Sequence, residues 1–101
     1  MKTVFIDAEK ISSPRDIHAL IREQLGLEEW YGMNLDALHD VLTEPGDIGI
    51  IVVNTECAGD GLREYFERLF AVLLDCADEN PRLRVLWDPF GAHNDLQGEE
   101  K

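Results

Sequence analysis

With 101 residues, 45% of them hydrophobic and 30% charged, the chain suits one folded domain with a usable core, rather than a disordered segment or two domains. A formal charge of -12 and a pI near 4.4 argue against direct binding of nucleic acid, because phosphate contacts need clustered Lys and Arg. No apolar run approaches the roughly 18 residues of a membrane span, and the opening residues lack the basic and apolar regions of a signal peptide, so the expected place is the cytoplasm.

The pattern along the chain alternates strand and helix. Thr3 to Ile6 is a short apolar run suited to a strand. Ser13-Pro14-Arg15-Asp16 starts a helix, since Ser13 can cap it, Pro14 fits a first turn that needs no N–H partner, and Asp16 completes an S-x-x-D box. Ile17, Leu20, Ile21 and Leu25 then recur at helical spacing, and Gly26 can close the helix in the left-handed conformation. A second helix is expected from Leu35 to Leu42, capped by Asn34. Ile48 to Val53 is nearly all β-branched and reads as a strand covered on both faces, central or otherwise well protected. A long helix follows, with Leu62, Tyr65, Phe66, Leu69, Phe70 and Leu73 as its apolar stripe, ending before Asn80-Pro81. Leu83 to Trp87 gives a third strand. Strands separated by helices imply right-handed crossovers and a small three-stranded parallel sheet flanked by helices, an α/β fold. The domain is therefore placed at 1–87, and 88–101, without periodicity, is read as a flexible C-terminal tail. Cys57 and Cys76 are expected to be reduced and buried as small hydrophobes.

The second helix carries the chemistry. At about 100° per residue, Leu35, Leu38, Val41 and Leu42 share an inward face, leaving Asp36, His39, Asp40 and Thr43 together on the other. Asp36 gains from the helix dipole, but Asp40 lies beyond the first turn, and like charges at i and i+4 cost a few tenths of a kcal/mol. Local stability alone would not choose this pair. It also lies inside Glu23 to Asp60, which holds nine Asp or Glu and no Lys or Arg. Such a face repels itself, and a strongly basic partner is the simplest reason to keep it. Trp30 and Tyr31 precede the helix in a loop that Gly32 lets turn closely. Each is either an aromatic that excludes water from interfacial ion pairs or a core residue pinning the loop. Enzymatic use of Asp36, His39 and Asp40 is disfavoured, because adjacent positions on a convex helix face make no pocket. His18 is placed on the surface of the first helix and His93 in the tail, so neither a metal site nor any cofactor is expected.

Tyr31-Gly32-x-Asn34-Leu35-Asp36-Ala37-Leu38-x-Asp40-x-Leu42-Thr43 resembles the barstar family, intracellular inhibitors of barnase-type ribonucleases. The likeness extends over the opening strand and Ser13-Pro14-Arg15-Asp16-Ile17-His18, and more weakly to about Trp87. It implies the family's small parallel sheet flanked by helices, and inhibition by mimicry of RNA phosphate in a 1:1 complex with a basic, extracellular-type ribonuclease, the free protein being a monomer. Carried over residue by residue, Asp40 takes the phosphate position and bonds Arg and His of the enzyme. Asp36 pairs with a basic residue near the guanine-binding region, Thr43 adds a polar contact, and Trp30, in place of a family tyrosine, stacks on the catalytic His. Asp75 aligns with a family acid that meets a basic residue at the rim. The implied partner-binding set is thus Trp30, Tyr31, Gly32, Asn34, Asp36, His39, Asp40, Thr43, Glu44 and Asp75. His39 departs from a family aromatic and, when protonated, would partly neutralise the mimic. Glu44-Pro45-Gly46-Asp47 replaces a glycine-led loop. Two other readings use the same face: an immunity protein against another toxin class, and an acidic interaction domain with no toxin.

Overall fold

In the computed structural model, which describes residues 2–44 and 46–90, three parallel strands lie in the order of the chain. These are β1 (Lys2–Asp7), β2 (Ile48–Val53) and β3 (Leu83–Asp88), with α1 (Pro14–Leu25), α2 (Leu35–Leu42) and α3 (Asp60–Glu79) between them. Val4 pairs with Ile50 and Ile50 with Val85, while Ile6 pairs with Val52 and Val52 with Trp87. That register aligns one row of apolar side chains beneath the helices, because alternate residues of a strand face the same side.

The local signals explain the element ends. Asp16 Oδ2 accepts from the N–H groups of Ser12 at 3.0 Å and Ser13 at 3.2 Å, satisfying donors at the start of α1. At its other end Gly26 has φ 68°, and Leu27 N–H reaches back to the Arg22 carbonyl at 2.9 Å. The outer edge of β1 is closed by a side chain: Phe5 N–H donates to Gln24 Oε1 at 2.8 Å and Gln24 Nε2 donates to the Phe5 carbonyl at 3.1 Å. The amide of α1 thereby stands in for a missing strand.

One expectation is corrected by the topology. Each crossover steps one strand in the same direction, and right-handed crossovers then put every helix on one face of the sheet. β2 is central, and the face without helices is covered only in part: Gly49 and Val53 are buried there, while Ile51 between them is half-buried. Its outer residue Ile51 pairs with Phe5 and Leu86, which are 49% and 50% exposed. The β-branched run reflects shielding by neighbouring strands as much as by helices. β3 includes Asp88, and the carbonyls of Asp88 and Pro89 accept from Asn54 and Glu56 N–H at 2.8 and 3.0 Å. The remainder of the expected tail, 91–101 with His93, lies outside the described residues. Both cysteines are free, Cys76 buried as expected, whereas Cys57 is exposed in a 3-10 turn at Thr55–Cys57. That turn lies between β2 and α3 and does not reach the core.

α1 packs on β1, α3 on β3, and α2 on α3. The seam between α2 and α3 is tied by Asn80, 4% exposed. Its Nδ2 lies within hydrogen-bond reach of the carbonyls of Leu42 at 3.1 Å, Glu44 at 3.3 Å and Gly46 at 3.2 Å, while its Oδ1 accepts from Arg82 N–H at 3.1 Å. One amide thus fixes where α2 ends and how the chain turns into β2. Replacing it leaves buried carbonyls without their donor, a loss worth about 1–3 kcal/mol. Asn80→Ala is expected to lower the unfolding free energy by about that amount, measured by urea titration, with the urea m-value unchanged.

Candidate functional site

Leu38 and Leu42 are 0% exposed, and Leu35 and Val41 are half-buried beside them. With that face sealed, Asp36 and Asp40 stand exposed on the other side of α2. The helix is held in position from its N-terminus. Asn34 Oδ1 accepts from Ala37 N–H at 2.8 Å, and its Nδ2 donates to the Gly32 carbonyl at 3.1 Å. Both ends of that amide are engaged in shaping the loop. Gly32 brings the chain close to the helix, since a Cβ there would lie a tight 3.1 Å from Ala37 Cβ. Met33 takes φ 58°, a left-handed conformation costing a non-glycine residue about 1–2 kcal/mol. Strain of this kind persists where the surroundings over-determine the loop.

The structure separates the two aromatics that the sequence left open. Trp30 is 80% exposed, and Tyr31 is 3% exposed. Trp30 therefore offers its ring to solvent in the loop before α2, while Tyr31 points into the core and anchors the loop. Its N–H donates to the Glu28 carbonyl at 3.0 Å, and its hydroxyl lies 2.9 Å from His18 Nδ1. His18 Nε2 is in turn 2.6 Å from the Tyr65 hydroxyl of α3. Expected on the surface, His18 is instead 1% exposed, because the loop and α3 close over the outer side of α1. Burial lowers its pKa and holds the imidazole neutral, and burial raises both phenols. A neutral imidazole has one N–H and one lone pair, so it can donate to one tyrosine and accept from the other.

The far end of the site is built against α3. His39 is half-buried, with Nε2 3.4 Å from Glu79 Oε2, and so leans toward α3 and away from Asp36 and Asp40. The Cys76 thiol lies 4.0 Å from the His39 carbonyl. Burial, then Glu79 and Asp75, push that thiol up to about 11. Asp75 is exposed one residue before this seam. Thr43 donates its hydroxyl to the His39 carbonyl at 2.8 Å, which leaves its lone pairs as the part available to a partner. Glu44 is exposed just beyond. Among the described residues no cationic side chain pairs with Asp36, Asp40, Glu44 or Asp75; the ion pairs are His39–Glu79, Arg63–Glu56 and Arg82–Asp47.

The outward side of α2 thus presents Asp36 and Asp40 without ion-pair partners among the described residues, with exposed Glu44 just after the helix and exposed Trp30 in the loop before it. A hollow lined by Phe5, Asp7, Lys10, Asp16, Leu20 and Gln24 lies apart, between β1 and α1. Among the described residues no group of three or more His, Cys, Asp or Glu could hold a metal ion, and no helix is long and apolar enough to cross a membrane. Such a surface can present hydrogen-bond acceptors to cationic donors and cover them with an aromatic ring.

Comparison with known proteins gives two findings. The family model described as "Barstar (barnase inhibitor)" matches residues 1–88. A protein of Bacillus subtilis (strain 168) named "Putative ribonuclease inhibitor YrdF" is 28% identical over 81 residues, covering 78% of this chain and 89% of that protein.

The buried imidazole makes stability depend on pH in a definite direction. In the unfolded chain His18 gains a proton near 6.5, and in the folded state only at lower pH. Between the two values the unfolded state binds more protons, so stability falls as pH drops below about 6.5 and levels off beneath the folded value. His18→Gln is expected to remove that component. The difference in slope between the two proteins should reach at most about 1.4 kcal/mol per pH unit, read from denaturant titrations between pH 7 and pH 4.5.

Proposed function

The chain belongs to the barstar family, and on that premise we propose that it is a cytoplasmic inhibitor of a barnase-like ribonuclease, binding 1:1 and blocking the active site by acidic mimicry of RNA phosphate. The observation that supports this reading best is the pair of exposed carboxylates, Asp36 and Asp40, unpaired on one face of α2, with Trp30 in the preceding loop 80% exposed. A ribonuclease must hold phosphate with cationic side chains, and those same donors accept a carboxylate with charge-assisted bonds.

In this reading each residue acts according to its place. Asp40, on the second turn of α2, enters the phosphate site and meets Arg and His of the enzyme. Asp36, one turn earlier, meets a basic residue beside the guanine site. Trp30 lies over the catalytic His and excludes water, which strengthens the ion pairs beneath it. Thr43 accepts a bond at the helix end, and Glu44 and Asp75 meet the cationic rim. Tyr31, Gly32 and Asn34 work from behind, fixing the loop so that little conformational entropy is lost on binding. The net charge of -12 speeds the encounter with a basic enzyme and makes it salt-sensitive.

Function also accounts for what stability does not. The acids repel each other on a short helix, and a large aromatic stands in water. A catalytic role has less support, because carboxylates exposed on a helix face are not desolvated as an active site requires.

Titration of a barnase-type ribonuclease cleaving a fluorogenic RNA is expected to show stoichiometric inhibition that weakens with salt. Asp40→Ala should weaken inhibition by roughly tenfold to a hundredfold or more, since hydrogen bonds to charged groups are worth about 1.5–3 kcal/mol. Its unfolding free energy should move by less than about 0.5 kcal/mol, as for other exposed positions. Full inhibition by the Asp40→Ala protein would remove Asp40 from the mechanism, and no inhibition by the wild type at micromolar concentration would direct the search to another toxin.

A further inference from the structure

Tyr31 is the only residue of the Trp30–Asn34 loop with a hydroxyl, and that hydroxyl ends on a group able to titrate. It meets His18 at 2.9 Å, with Tyr65 on the opposite ring nitrogen at 2.6 Å. The imidazole therefore joins three elements: α1, the loop before α2, and α3. Ring geometry agrees, with His18 centroids 6.0 Å from both Tyr31 and Tyr65, the second edge-on at 86°. Among the described residues no buried side-chain nitrogen or oxygen lacks a hydrogen-bond partner, so this bridge is satisfied as it stands.

Deepening the ribonuclease reading, on which its binding consequence rests, we propose that His18 is the positioning residue of the Trp30 loop: neutral, it latches Tyr31 to the core, and protonated, it releases the loop and weakens the inhibitor. The reason is a proton count. Neutral imidazole accepts from one phenol and donates to the other. Imidazolium donates from both nitrogens, so the phenol that was a donor must turn its O–H elsewhere inside a packed core, and a positive charge is left buried. The groups facing it are Tyr31 from the loop and Tyr65 from α3, with Arg68 held 5.8 Å from the Tyr65 ring centre. On α1 itself, Arg15 and Arg22 lie one turn to either side. None of these is a carboxylate that would welcome the charge, so relief comes by letting Tyr31 go. Trp30 is bonded to Tyr31 through the backbone and moves with it.

The latch is separable from the acidic contacts, because it acts in the free protein. In 15N-labelled protein, the imidazole resonances of His18 and the backbone amides of Tyr31, Gly32 and Met33 are followed from pH 7.5 to pH 4.5, alongside inhibition of a barnase-type ribonuclease by the wild type and by His18→Gln. The loop amides are expected to move with the His18 midpoint. The affinity of wild type relative to His18→Gln should fall by up to about tenfold per pH unit once His18 titrates, the limit for release of one proton on binding. The comparison cancels titration of the enzyme and of His39, which both proteins share. Tyr31→Phe keeps the ring in the core and removes only the hydroxyl, so it should uncouple the loop amides from His18 even if His18→Gln folds poorly. Loop amides indifferent to the His18 titration, or an affinity ratio flat with pH, would overturn the latch. Coupled amides without inhibition at any pH would support the latch and sink the ribonuclease reading instead.

Discussion

Eight residues make barely two turns, too few for α2 (Leu35–Leu42) to persist in water by its own hydrogen bonds. It exists because Leu38 and Leu42 are sealed against the core, because Asn34 caps its start, and because Asn80 holds its end. Those three restraints also decide which side of the helix is left outward. Once the leucines are buried, helical spacing gives Asp36 and Asp40 no alternative to the surface. The stability of the element and the direction of its acids are therefore one arrangement, and a change that loosens the packing would turn the acids as well.

The sheet contributes distance and rigidity more than chemistry. Many open α/β sheets gather ligands at the carboxyl ends of their strands, where the strand order reverses. Here the order is β1-β2-β3 without reversal, so no switch point exists, and the hollow at that edge lies between α3 and the ends of β2 and β3, lined by Thr55, Phe66, Phe70, Trp87 and Pro89. Asn54, at φ 64°, donates to the Asp88 carbonyl through its N–H at 2.8 Å and to Asp7 Oδ1 through its side chain at 3.0 Å, which closes the strand ends together. With the helices all on one side, the crossover from β1 to β2 has room for two helices and the loop between them. That long crossover carries Trp30, Asp36 and Asp40.

Much of this was legible in the sequence, and for physical reasons. Asn34 and Leu35 to Leu42 were plain because a cap and a two-turn apolar stripe are local signals, and Ile48 to Val53 because β-branched runs suit strands. What escaped required tertiary knowledge. His18 looked like a surface residue beside Ile17, yet His18, Ile21 and Leu25 are spaced by three and four, a second apolar track that only a covering loop makes buried. Tyr31 and Trp30, adjacent and similar, were indistinguishable until the fold sent one in and the other out. Gln24 closing the edge of β1 and Asn80 closing the seam are single amides, whose partners are backbone atoms 19 to 38 residues away, and no periodicity announces them.

Under the proposed function, the separation of roles between the Trp30–Asn34 loop and α2 follows from what each group must do at a binding surface. A residue that meets a partner must be exposed and unpaired beforehand, so Trp30, Asp36 and Asp40 cannot also hold the loop in place. The holding falls to residues with their polar atoms already used: Tyr31 on His18, Asn34 on Ala37 and Gly32. Left unrestrained, an indole on a mobile loop would lose its freedom on binding, at about 0.5–1.5 kcal/mol for the side chain and more for the backbone. Settling that cost during folding leaves more of each contact available to affinity. The left-handed backbone at Met33 belongs to the same arrangement, since a strained residue is retained only where its neighbours leave the loop no other course.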